Sequence, residues 1–139
     1  MDRRYAWHHA SASTLSMDIG RRLPAHTEAA MNTLAGKKCK PCEGGVSPLT
    51  ADETASLLKG LQGWSLVDGK LSKTYDFRNY HETMAFVNAT AWISHREDHH
   101  PDLAVGYNKC RVDYITHAIN GLSENDFICA AKIDALLEL

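Results

Sequence analysis

Three histidines and one aspartate in the last third of the chain could carry acid–base chemistry. They are His99 and His100, followed by Pro101, and then His117 and Asp126. An unperturbed imidazole titrates near pH ~6.5, so it can both give and take a proton under ordinary conditions. If folding gathers these side chains around one cavity, they form a candidate acid–base site.

Each of these residues also has a purely structural interpretation. Loops collect surface residues as well as site residues, so His99 and His100 could be solvated loop side chains. His117 could close the edge of a strand. Asp126 stands at the third position of a predicted helix, where free amides and the helix dipole stabilise a carboxylate whatever else it does.

A metal site is the main chemical alternative. His95 and His99 are four residues apart, the spacing by which one helical face presents two zinc ligands. The residue after His95 is Arg96, where the metalloprotease motif has its glutamate, and a guanidinium opposes the binding of a dication. We therefore predict no metal ligands here.

Four cysteines raise the questions of zinc and disulfides. Cys39–Cys42 is a lone Cys-x-x-Cys, and a zinc site would need two further ligands at comparable spacing. Cys110 and Cys129 are isolated in a predicted strand and a predicted helix. The first thirty residues lack the apolar block of a secretory signal, so we expect a reducing, cytoplasmic location and free thiols. We interpret Cys39–Cys42 as a turn.

Composition sets the outer limits. The chain has 139 residues, 44% of them hydrophobic, which suits a single core. We predict an N-terminal extension with little order over residues 1–36 and one domain over 37–139. The net charge of −2, with no basic stripe beyond residues 37–40, argues against a nucleic-acid partner. No run of about 18 apolar residues occurs, so no membrane span is predicted.

Helix-start signals position three helices. Capping-box patterns occur at 50–53, 79–82 and 123–126, where a side-chain oxygen and an acid can satisfy free amides. The first helix should end near Gly60 or Gly63, the second near His95 and the third at Leu137. The second helix is apolar on more than one side, so we expect the sheet on one face and a partner chain on another.

Strand signals fill the intervals between the helices. Residues 64–67 and 71–75 flank Asp68-Gly69, a dipeptide suited to a tight hairpin that pairs Leu66 with Leu71. Residues 103–105 and 110–115 form two further strands, with His117 at a strand end. The sequence thus predicts an α+β fold, a four-stranded antiparallel sheet with three helices packed on one face in the order α-β-β-α-β-β-α.

The spacing of the candidate residues resembles a known signature. Nine residues separate Tyr107 from His117 and eight separate His117 from Asp126. Together with His99-His100-Pro101 and Thr116, this series resembles the pterin-4a-carbinolamine dehydratases. The similarity runs from about Lys37 to the C-terminus.

The resemblance implies an activity and a set of roles. Members of that family dehydrate 4a-hydroxytetrahydropterin, formed when aromatic amino acid hydroxylases use tetrahydropterin, to the quinonoid dihydropterin. They need no metal or organic cofactor and assemble as homodimers or homotetramers. The implied catalytic residues are His99, His100, His117 and Asp126, and the implied pterin-binding residues are Asp98, His99, His100, Pro101, Thr116 and His117. Within these sets His99 and His117 would be the acid–base pair, and Asp126 would orient a histidine.

A binding role without chemistry is the competing hypothesis. Some relatives of that family are dimerisation partners of a transcription factor, and others are assembly chaperones for a carbon-fixing enzyme. A pure scaffold has no chemical need for the histidines, so their presence favours the enzyme.

Overall fold

The computed structural model describes residues 33–42 and 45–138. The extension predicted for residues 1–32 lies outside this range. A 3₁₀ turn over Leu34–Gly36 packs on the domain, with Leu34 against the core and the Ala35 carbonyl accepting a hydrogen bond from Lys132. The division predicted at residue 37 stays a prediction. No helix in the described part of the chain is long and apolar enough to cross a membrane.

Three helices and four strands follow one another in the predicted order. The helices are α1 (Ala51–Leu58), α2 (Tyr80–Glu97) and α3 (Glu124–Ala135), and the strands are β1 (Ser65–Val67), β2 (Lys70–Asp76), β3 (Asp102–Val105) and β4 (Lys109–Tyr114). All pairings are antiparallel in the sheet order β1-β2-β4-β3. The predicted α+β class and element order are confirmed.

The helices begin where the capping patterns predict. Thr50 and Glu53 form a full capping box at α1, and Ser123 and Asp126 form one at α3. At α2 the Asn79 side chain accepts from the Glu82 amide, but the Glu82 carboxylate accepts from Arg78 rather than from the Asn79 amide. The second box is therefore only half formed, because the arginine offers Glu82 a charged donor.

The hairpin between β1 and β2 has the predicted register. Leu66 pairs with Leu71, and the turn residues Asp68 and Gly69 both have positive φ angles, as a tight two-residue turn requires. Leu71 is fully buried, whereas Leu66 is half exposed because β1 is an edge strand. The hairpin therefore reaches the core mainly through β2.

The buried face of α2 agrees only in part with the two apolar sides that the sequence shows, one from Tyr80 and one around Phe86. Phe86 is buried, but Tyr80 is half exposed, and the other buried residues are Thr83 and Thr90. Thr83 can be buried because its hydroxyl lies 3.0 Å from the Asn79 carbonyl oxygen and 2.9 Å from that of Tyr107. A threonine whose hydroxyl is hydrogen-bonded can be buried, but a count of apolar residues does not identify it as a core residue.

The end of β4 also differs from prediction. The strand stops at Tyr114, and His117 opens a 3₁₀ turn over His117–Ile119 rather than closing a strand. The chain turns back there, because the Thr116 amide donates to the Gly121 carbonyl at 2.9 Å and Asn120 takes a left-handed conformation. The prediction that His117 lies at a strand end is therefore wrong.

Asp134, near the C-terminal end of α3, forms hydrogen bonds with residues of the hairpin region. The Asp134 carboxylate accepts hydrogen bonds from Trp64 Nε1 at 2.9 Å, Lys73 Nζ at 2.7 Å and the Tyr75 hydroxyl at 2.5 Å. Burial first, and the bond to Asp134 second, raise the pKa of Tyr75, so its hydroxyl remains a donor. Helix α3 is thus held at both of its ends.

We expect Gly121→Ala to lower the free energy of unfolding by about 1–3 kcal/mol through overpacking. A Cβ atom at Gly121 would lie 2.7 Å from Pro48 Cβ, closer than real contacts allow. Gly106→Ala is the matched control, because its Cβ would meet only the Lys109 carbonyl oxygen at 3.6 Å. Equal midpoints in urea denaturation for the two variants would contradict this assignment.

Candidate active site

One cavity brings together side chains from three separate segments. Its volume is about 570 Å³. The loop after α2 contributes Asp98, His99 and His100, and the segment after β4 contributes Thr116 and His117. The third wall is the Lys38–Cys42 segment. Three histidines from two separate segments of the chain thus line one cavity.

His99 is the most tightly held of the three histidines. Its Nε2 atom lies 2.6 Å from Asp126 Oδ1, and its ring stacks on Tyr114 with 5.8 Å between centroids and 9° between planes. Its side chain is 12% exposed. A carboxylate accepts hydrogen bonds, so we assign the ring proton to Nε2. That assignment leaves Nδ1 as the nitrogen available for proton transfer.

Asp126 holds the site residues together from the interior of the domain. It is completely buried and does not line the cavity. Its Oδ2 atom accepts hydrogen bonds from Thr116 Oγ1 and from the Ser123 amide, both at 2.9 Å. Thr116 Oγ1 in turn lies 2.7 Å from Ser123 Oγ, which donates to it. One carboxylate therefore caps α3, fixes Thr116 and holds His99.

His100 and His117 lie at the exposed edge of the cavity. His100 Nδ1 makes only a long contact, 3.4 Å, with the Pro101 carbonyl oxygen. Pro101 itself does not line the cavity, because the chain enters β3 at the next residue. Asp98 ends α2 in a left-handed conformation, which turns the backbone so that His99 follows directly into the site.

The wall formed by residues 38–42 could not be found from the sequence. The Cys39 amide donates to Glu97 at 2.9 Å, and the Lys40 peptide group is held on both sides by Asn125. Those two hydrogen bonds measure 3.0 Å at the Lys40 amide and 2.6 Å at its carbonyl oxygen. The partners of these backbone groups lie more than fifty residues away along the chain, so no local sequence pattern indicates the contacts.

Glu97 carries a persistent negative charge beside this wall. Burial alone would raise the pKa of Glu97, but the Cys39 amide and the Lys132 ammonium outweigh it, with Lys38 adding attraction. The net effect holds the pKa below its ordinary value. The Lys132 Nζ to Glu97 Oε1 distance is 3.4 Å, and the Glu97 side chain is 8% exposed.

All four cysteines have free thiols in the structure. Cys39 Sγ and Cys129 Sγ approach to 3.6 Å, and this hydrogen bond together with burial raises the pKa of Cys129. Cys110 and Cys129 lie in a strand and a helix, as predicted. Within residues 33–42 and 45–138, no three or more His, Cys, Asp or Glu side chains form a group that could hold a metal ion.

Comparison with known proteins identifies close relatives. The model of the pterin 4 alpha carbinolamine dehydratase family matches residues 47–136. A protein of Nitrosomonas eutropha, provisionally named a pterin-4-alpha-carbinolamine dehydratase, is 69% identical over 105 residues, which are 75% of this chain and 93% of that protein. A Nitrosospira multiformis protein of the same name is 59% identical over 112 residues, covering 81% and 99% of the two chains.

A solved structure agrees with these relatives. The crystal structure of a transcriptional coactivator/pterin dehydratase from Brucella melitensis matches with a TM-score of 0.62 and 32% sequence identity. The match covers 65% of this chain and 98% of that one.

The contacts of Glu97 with the Cys39 amide and Lys132 predict that the stability of the protein depends on pH. Its native pKa is lowered, so it contributes stability that is fully present above its unfolded pKa of about 4.3 and is lost as the pH falls through the native value. We expect Glu97→Gln to make urea unfolding less sensitive to pH between about 5 and 3. Glu138→Gln, an exposed control near the C-terminus, should keep the wild-type dependence. The same pH dependence of urea unfolding in wild type and Glu97→Gln would contradict a stabilising role of the Glu97 contacts.

Proposed function

The chain belongs to the pterin-4-alpha-carbinolamine dehydratase family, and we propose that it converts a 4a-hydroxytetrahydropterin into the quinonoid dihydropterin. The reaction is that of a hydro-lyase. Its substrate would come from aromatic amino acid hydroxylation, so that the enzyme would act in tetrahydropterin recycling. We propose that the reaction needs no metal or organic cofactor and takes place in the cytoplasm.

Elimination of water from this substrate requires two proton transfers. Hydroxide leaves C4a while N5 loses a proton, so one group must protonate the departing oxygen and another must accept the nitrogen proton. We assign these tasks to His99 and His117, which reach one cavity from different segments. Histidine suits the task because the same side chain can donate or accept a proton.

The remaining residues would bind the pterin or support the histidines. His100 and Asp98 line the cavity and would position the ring. Asp126 is a positioning residue, because it touches His99 and not the cavity, and it would stabilise the imidazolium form of His99. Thr116 would act mainly by holding Asp126, and Pro101 by setting the direction of the backbone after His100.

The observation that carries the proposal is the hydrogen bond from His99 to the fully buried Asp126 carboxylate. His99 lines the same cavity as His117, whereas Asp126 lies behind it. A histidine that is oriented by an acid through one ring nitrogen and exchanges a proton through the other is the arrangement that general acid–base catalysis uses.

We expect His99→Ala and His117→Ala each to lower kcat for 4a-hydroxytetrahydropterin dehydration by about 10²- to 10⁴-fold. The absorbance change of 4a-hydroxypterin breakdown measures the rate. His81→Ala is the control, since His81 is an exposed histidine at the start of α2 and outside the cavity. Full activity in both site variants would refute the assignment of the acid–base pair.

A scaffold role is the second candidate, because the Brucella relative is described as a coactivator as well as a dehydratase. Trp92 on α2 is 61% exposed, in keeping with a helix whose second apolar side meets another chain. We propose a homodimer or homotetramer. Light scattering on the purified protein should give two or four subunits. A monomer would contradict the proposed oligomer, and a protein that also fails to accelerate dehydration would contradict the proposed enzyme.

A further inference from the structure

We propose that the cavity contains a subsite for a phosphate group on the pterin side chain, formed by Lys38, Lys40 and Arg96. This inference rests on the proposed function, because it assumes that the pterin ring occupies the same cavity. It names a property of the substrate, a phosphorylated side chain, that the dehydration chemistry itself does not require.

The first argument is the charge that faces the cavity. Lys38, Lys40 and Arg96 all line it, and none of them forms an ion pair with any residue in 33–42 or 45–138. Neighbouring lysines behave differently: Lys37 Nζ lies 2.5 Å from Glu124, and Lys132 is paired with Glu97. Within residues 33–42 and 45–138, three cations without an ion-pair partner thus lie together in the wall of one cavity.

The acids that face these cations do not neutralise them. Glu97 lines the cavity and attracts Lys38, but its carboxylate is already shared between the Cys39 amide and Lys132. Asp98 is the other lining acid in the described residues. Three cations therefore face one carboxylate that is not otherwise engaged, in a protein whose net charge is −2.

The second argument is that the cations stand on a fixed backbone. The Asn125 side chain holds the Lys40 peptide group from both sides, and Glu97 holds the neighbouring Cys39 amide. Arg96 belongs to the last turn of α2, directly before Glu97. A backbone that is already held in this way loses less freedom when an anion binds beside it.

The third argument is the match of chemistry and size. A guanidinium offers a planar fork and an ammonium a compact charge, and both are common phosphate ligands. Cavities of roughly 300–1,000 Å³ accommodate drug-sized molecules. At about 570 Å³, this one has room for a pterin ring with an extended side chain. A neutral polyol side chain would offer these three cations no anionic group.

Fluorescence titration with neopterin and neopterin monophosphate tests the proposal, because the two ligands differ only in the phosphate. We expect the monophosphate to bind the wild-type protein about 10-fold or more tightly at low salt. The advantage should shrink as ionic strength rises, and inorganic phosphate should reduce it. In Lys40→Gln and Arg96→Gln, the ratio of the two dissociation constants should fall towards one.

Lys59→Gln is the control, because Lys59 is an exposed lysine at the end of α1, outside the cavity. It should keep the wild-type ratio, and an equal loss in this variant would overturn the subsite in favour of general charge attraction. Equal affinity of the wild-type protein for the two ligands would overturn the subsite and leave the proposed function standing. Failure to bind either ligand would contradict the proposed function as well.

Discussion

The buried carboxylate of Asp126 is the constraint on which the site depends. A carboxylate without access to water is costly unless hydrogen bonds compensate it. Asp126 obtains them from the first turn of α3, from Thr116 after β4 and from His99 after α2. Three segments must therefore meet at one point for the fold to be stable, and the same meeting point places an imidazole at the cavity wall.

Helix α3 connects the hydrogen bonds of Asp126 to the rest of the domain. Asp126 near its start holds the site, and Asp134 near its end binds Trp64, Lys73 and Tyr75 of the hairpin region. Between them, α3 contributes a nearly continuous buried face to the core. Stability and site geometry are thus properties of the same helix.

Local signals in the sequence were sufficient for much of this architecture. The Ser123–Asp126 box and the Asp68-Gly69 turn involve residues within a few positions of each other, so helix starts and hairpin register could be predicted. The wall at residues 38–42 depends on a distant partner, Asn125 on α3. The 3₁₀ turn at His117 depends on a hydrogen bond between Thr116 and Gly121, which belongs to none of the capping or hairpin patterns. Periodicity and propensity carry no information about such contacts.

The tautomer of His99 tests the central claim most directly. ¹⁵N-resolved NMR of the neutral imidazole distinguishes a proton on Nε2 from one on Nδ1. If Asp126 orients His99 as the structure indicates, the proton resides on Nε2, and Nδ1 is the unprotonated nitrogen. A neutral His99 with its proton on Nδ1 would contradict the account, because the carboxylate would then have no ring donor and would not orient the histidine.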